Sequence, residues 1–156
     1  MRTRSAPAIR LIDYTPPPYR IIEVDLLVQL DPDATRVVSK LRVRRERSTG
    51  QGEPLDLDGD ELTLVSVGVD GEALGSADYD ASEQRLRITK LPKATEFRIE
   101  IETSLAPTEN TKLMGLYQSN GVYCTQCEAE GFRRITYFQD RPDVLAIYTV
   151  RIEAEK

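Results

Sequence analysis

Ile22-Glu23-Val24-Asp25-Leu26, continuing through Val28 and Leu30, places apolar side chains on alternate residues. Period two over that length predicts a strand with one buried face. Asp31-Pro32-Asp33 supplies a turn. Thr35 to Arg47 then alternates again through Val37, Leu41 and Val43, so the two segments predict a hairpin. Working outward, Leu55 and Leu57 precede Asp58-Gly59-Asp60. Leu62, Leu64, Val67 and Val69 lead into Asp70-Gly71, a strong hairpin turn signal. Leu86 with Ile88 forms a short strand, and Phe97, Ile99 and Ile101 form another that ends near Pro107. Val122 to Gln126, Ile135 to Phe138, and Tyr148, Val150 and Ile152 complete the series. No stretch carries an apolar 3.6-residue repeat of helical length. Many short strands divided by turn residues predict an all-β fold, an antiparallel β-sandwich.

Residues 1–18 read as an extended lead-in, because Pro16, Pro17 and Pro18 lack N–H donors and cannot enter a sheet interior. The 156 residues suit one domain, 1–156, with a core large enough to need no disulfide or metal staple. With 40% hydrophobic and 30% charged residues, the composition is that of a folded, water-soluble domain. A net charge of −5 argues against nucleic acid as a partner. The one positive run, Arg42, Arg44, Arg45 and Arg47, divides between the two faces of a strand and is expected to be a solvated edge. No apolar run approaches the ~20 residues of a helical span, so no membrane partner is expected. Neither is a secretory signal visible, which favours the cytoplasm. Histidine is absent from the whole chain, removing the commonest general base and zinc ligand.

Cys124-Thr125-Gln126-Cys127 is a C-x-x-C, but redox versions sit at a helix start and these flanks favour a strand. Two unlinked, partly buried cysteines are expected. Asp56, Asp58, Asp60 and Glu61 lack the glycine placement of a calcium loop and read as a polar turn. Gln126, Glu128 and Glu130 are more informative. A strand continuing past Val122 would project all three from one face together with Cys124, either as a solvated surface or as a seat for a cation. Arg133-Arg134 and Asp140-Arg141-Pro142-Asp143 are explained by local ion pairs and a proline turn.

Several runs, taken together, carry a resemblance. They are Asp13-Tyr14, Pro17-Pro18-Tyr19, Val24-Asp25-Leu26, Leu30-Asp31-Pro32, Leu55-Asp56-Leu57-Asp58-Gly59 and Gly115-Leu116-Tyr117. With them stand Cys124 through Tyr137, reading C-T-Q-C-E-A-E-G-F-R-R-I-T-Y, and Asp140-Arg141-Pro142-Asp143-Val144. The chain resembles, over essentially its whole length, the N-terminal domain of the M1 family of zinc aminopeptidases, in its bacterial aminopeptidase N branch. The T-Q-C-E-A-E-G-F-R run is the most specific part.

That resemblance implies a β-sandwich or saddle packed on a separate thermolysin-like catalytic domain of the same polypeptide. It implies an exopeptidase that removes single residues from peptides with a free N-terminus. By the same resemblance, Gln126 and Glu128 reach into the active site, where Glu128 helps bind the substrate α-ammonium. The H-E-x-x-H and G-x-M-E-N motifs of the catalytic domain are absent here. No catalytic residue and no metal ligand are therefore expected in this chain; zinc is expected in the parent enzyme, and the isolated domain is expected to be inactive. With its last strand ending near Lys156, the chain is expected to be a piece cut at a domain boundary. The competing expectation is a stand-alone β-sandwich module for a carbohydrate or protein ligand. The absence of tryptophan and an aromatic content of 6% weaken its carbohydrate form.

Overall fold

The computed structural model describes residues 10–46, 50, 52–82 and 84–155. The strands are β1 (Tyr19–Leu30), β2 (Thr35–Arg45), β3 (Leu55–Asp58), β4 (Thr63–Val69), β5 (Glu72–Ala73) and β6 (Tyr79–Ala81). They continue with β7 (Arg85–Ile88), β8 (Glu96–Leu105), β9 (Gly115–Ser119), β10 (Val122–Gln126) and β11 (Ile147–Ala154). A six-stranded sheet runs β11-β1-β2-β8-β4-β5, beside a three-stranded sheet β3-β7-β6 and the hairpin β10-β9. The all-β reading holds, and the described helical residues form only two three-residue 3₁₀ turns, Leu11–Asp13 and Phe132–Arg134.

Alternation explains the core. Val24, Leu26 and Val28 of β1, Leu41 and Val43 of β2, and Phe97, Ile99 and Ile101 of β8 are buried on one face of the large sheet. Leu55 and Leu57 of β3 and Leu86 and Ile88 of β7 join them in a single core. Burying one such side chain fully contributes roughly 1.5–3 kcal/mol. The predicted hairpins form: β1 pairs β2 in antiparallel fashion, and β4 turns into β5 at Asp70 and Gly71, both with positive φ.

Five expectations need correction. Ile22 was expected on the buried face with Val24. A bulge between Ile21 and Glu23 shifts the parity, so Tyr19 and Ile21 are buried and Ile22 is only half-buried. Ile135 to Phe138 does not form a strand; only Phe138 bridges, to Asp58. The last strand pairs β1 in parallel, so the large sheet is not purely antiparallel. The lead-in is extended only in part, since the Leu11–Asp13 turn interrupts it, and residues 1–9 lie outside the described residues.

The fifth is the arginine run, which is not an edge. β2 lies between β1 and β8, and Arg42 forms a cross-strand bridge with Glu23 on one side and Glu96 on the other. Arg45 lies over the buried Tyr19 ring, 4.9 Å from its centroid, and donates to the Tyr19 hydroxyl at 2.9 Å. Arg47 lies outside the described residues.

Candidate functional site

The site is built at the end of a hairpin. β9 and β10 are joined by Asn120 and Gly121, both at positive φ, which matches the twist a two-residue hairpin loop requires. The register sets Cys124 opposite Tyr117 and Gln126 opposite Gly115. β10 ends at Gln126, where the chain turns rather than continuing as a strand. The expected single face of Gln126, Glu128 and Glu130 is therefore corrected: alternation stops at Gln126 because pairing with β9 is exhausted at Gly115.

A compact turn replaces it. Gly131 N–H donates to the Cys127 carbonyl at 3.0 Å, and Gln126 Nε2 donates to the Glu128 carbonyl at 3.0 Å. The Glu128–Ala129 peptide is cis and Glu130 has φ 65°. Gly131 is required by close approach: a Cβ there would stand 2.4 Å from the Gln126 carbonyl oxygen and 2.7 Å from the Cys127 Cα. Gln126 and Glu128 are both exposed. The Glu128 carboxylate forms no hydrogen bond or ion pair with any described residue. Glu130 instead turns towards Arg133, 3.5 Å away.

Behind this turn the chain is anchored. The Arg133 backbone N–H and Nε both donate to Asp140 Oδ2 at 3.1 Å, as the local ion-pair reading expected. Arg134 does something that reading missed. Its side chain is buried, at 5% exposure, and pairs across the fold with Asp60 and Glu61 while Nε donates to the Met114 carbonyl at 3.0 Å. Arg134 therefore ties the turn after Gly131 to the start of β9 and to the 58–61 turn. The signal available in sequence was the adjacent acid pair Asp60-Glu61 with no local cation. Lys112 completes the cluster, 2.6 Å from Glu61. The Arg134 and Lys112 cations hold the Glu61 carboxyl down at about 2.

The thiols do not suggest chemistry. Cys124 and Cys127 are free and half-buried. Burial, helped by the Asp140 carboxylate, pushes the Cys127 thiol above its ordinary range, which disfavours the thiolate that a nucleophile or metal ligand needs. Among the described residues, no three His, Cys, Asp or Glu side chains converge as a metal site. What the turn offers is an exposed carboxylate whose backbone is held by a neighbouring amide, an arrangement able to receive a cation from outside.

A family profile described as the peptidase M1 N-terminal domain matches residues 22–156. This chain belongs to the M1 peptidases. The M1 domain is 49% identical over 155 residues to the aminopeptidase N of Caulobacter vibrioides, an alignment covering 99% of this chain and 18% of that protein. Its fold superimposes on a crystal structure of Legionella pneumophila aminopeptidase A in complex with aspartic acid, with a TM-score of 0.83 and 35% identity. That match covers 92% of this chain and 17% of the other. An M1 zinc metallopeptidase from Deinococcus radiodurans shares the fold at a TM-score of 0.70 and 19% identity, over 87% of this chain and 32% of that one. The M1 domain thus spans less than a fifth of the length of the Caulobacter and Legionella proteins.

Proposed function

We propose that this M1 domain is the substrate-anchoring part of a longer zinc aminopeptidase, in which Glu128, steadied by Gln126, binds the α-ammonium of a peptide. An aminopeptidase must measure one residue from a chain end, and the mark of that end is a charged amine. The α-amino group has a reference pKa of about 7.7–8.0, so much of it is protonated near neutrality. A carboxylate facing a partly dehydrated cleft binds that cation and sets its distance to the scissile bond. The observation that carries the reading is the Glu128 carboxylate, exposed and without a partner among the described residues, on a turn fixed from behind by Gln126 and Gly131.

The residues of this chain do not fit a zinc site. There is no histidine, and burial pushes the Cys127 thiol above its ordinary range, away from the thiolate a zinc ligand needs. Zinc and the hydrolytic groups belong, in this reading, to the catalytic domain of the same polypeptide, and the 156 residues alone are inactive. The 18% share of the Caulobacter relative supports a part of an enzyme over a stand-alone binding module. Two free thiols suit a reducing compartment, in keeping with the cytoplasm.

The test is Glu128→Ala in the full-length enzyme, assayed on aminoacyl anilides. Losing one partner of a desolvated charge pair costs ~2–5 kcal/mol, so kcat/KM should fall about 30-fold or more. A variant with near-normal kcat/KM would overturn the assignment.

A further inference from the structure

The turn that carries Glu128 is held twice. Gln126 and Gly131 hold it from within, through the Glu128 and Cys127 carbonyls. The second hold comes through β9. Gly115, the first residue of β9, stands opposite Gln126 in the hairpin register. It also packs on Arg134: a Cβ at Gly115 would stand 2.5 Å from the Arg134 Cβ and 3.1 Å from the Gly131 carbonyl oxygen. The Arg134 backbone N–H donates to that same Gly131 carbonyl at 3.1 Å. Gly115 therefore touches Arg134 while it pairs with the residue that steadies Glu128.

The entry to β9 is conformationally demanding. Leu113 and Gly115 have φ 56° and 72°, and the left-handed region is uncommon for a leucine. Such a backbone persists where its surroundings over-determine it. Here two side chains do so. Asn110 Nδ2 donates to the Met114 and Leu116 carbonyls at 2.7 and 2.9 Å, and Arg134 Nε donates to the Met114 carbonyl at 3.0 Å. Asp60 and Glu61 take the two ends of the guanidinium, and its side chain is only 5% exposed. A planar guanidinium holds several acceptors in one fixed geometry, which an ammonium on a flexible stem does not.

We propose that Arg134 is a positioning residue for the aminopeptidase reaction: through the start of β9 it sets the place of Gln126, and so the place from which Glu128 meets the substrate α-ammonium. This rests on the reading of Glu128 as the ammonium anchor. Arg134 itself touches no substrate. Its effect is worth seeking because a misplacement of about 1 Å, caused far from the chemistry, can cost about 100-fold.

The experiment uses the full-length enzyme and two competitive inhibitors, alanine hydroxamate and propanohydroxamate. They differ only in the α-amine, and their small side chain makes little demand on a side-chain pocket. The ratio of their Ki values reads how much the ammonium contributes to binding. Arg134→Lys keeps the charge and loses the fork. It should lower that ratio at least about fivefold and change the Ki of the amine-free compound less than about twofold. In a Glu128→Ala background, Arg134→Lys should change the ratio less than about twofold, because the group it positions is gone. Ile88→Val, a core change in β7, is the control for general loosening and should leave the ratio unaltered.

Equal weakening of both inhibitors by Arg134→Lys overturns the proposal, and so does an equal fall in the ratio with Ile88→Val or an undiminished fall in the Glu128→Ala background. Should Arg134→Lys fail to fold, Asp60→Ala decides, since it frees one end of the guanidinium. The ratio should then fall at least about twofold, and an unchanged ratio overturns the proposal. A ratio that falls with Glu128→Ala but not with the Arg134 or Asp60 variant removes the positioning role alone. A ratio that Glu128→Ala leaves intact removes the ammonium reading, and the positioning role with it.

Discussion

The side-chain amide of Gln126 donates to the main-chain oxygen of Glu128 at 3.0 Å, so the last residue of β10 holds the residue whose carboxylate faces solvent. Gln126→Ala removes one neutral hydrogen bond, worth about 0.5–1.5 kcal/mol, and leaves the Glu128 charge in place. In the full-length enzyme kcat/KM should fall only about 2- to 10-fold, well short of the loss from Glu128→Ala. Steady-state kinetics of the two variants side by side check the order.

Gly131→Ala acts on the same turn by a different route. The new methyl would stand 2.4 Å from the Gln126 carbonyl oxygen and 2.7 Å from the Cys127 Cα, both backbone atoms that no side-chain rotation can move aside. Overpacking of this kind costs about 1–3 kcal/mol. A urea titration of the 156-residue chain should show a lower midpoint with an unchanged slope.

Arg134→Leu should destabilise the chain more than any exposed ion-pair deletion. The guanidinium is buried, and its loss takes one partner each from Asp60, Glu61 and the Met114 carbonyl, which keep Lys112 and the Asn110 amide. Glu61 keeps 53% of its side chain exposed, so solvent offsets part of that loss. A cost of about 1–3 kcal/mol follows, against under about 1 kcal/mol for Lys40→Ala, which removes a solvent-exposed bridge to Glu100.

Acid should unfold the protein through identifiable carboxyls. The Arg141 guanidinium, with help from the Tyr14 hydroxyl, holds Asp143 at about 2. Arg134, then Lys112, holds Glu61 at about 2. Unfolded, these groups return to about 4. A depressed folded value means stability that is fully present above about pH 4 and lost as pH falls through about 2. Circular dichroism against pH should show that slope, and Glu61→Gln should flatten it. High salt should shrink the Glu61 share, since that pair is half solvated.

Strand existence was legible wherever one face is buried against the core, as in Val24 to Val28 or Phe97 to Ile101, because period two is then enforced by burial. It failed where the period is broken by the backbone. The bulge at Ile21/Glu23 swaps which isoleucine is inside, and composition cannot show that. Ile135, Tyr137 and Phe138 are buried without a ladder, so their apolar character imitated a strand. At the site, Gln126 and Glu128 were identified by family likeness. The expected geometry, a continuing strand, was wrong because the length of β9 decides where β10 must stop. Arg134 was undervalued because its acid partners lie more than seventy residues away in sequence, at Asp60 and Glu61.

The parallel seam between β1 and β11 joins Glu23 to Ile147 and Leu30 to Ala154. A growing chain emerging from the ribosome therefore makes the β1–β2 hairpin early and then waits through more than a hundred residues for the other neighbour of its first strand. Contacts so remote in sequence close slowly, after their loop entropy has been met. During that interval one flank of β1 stays bare, a vulnerability to mispairing that rapid synthesis of the remaining residues would shorten.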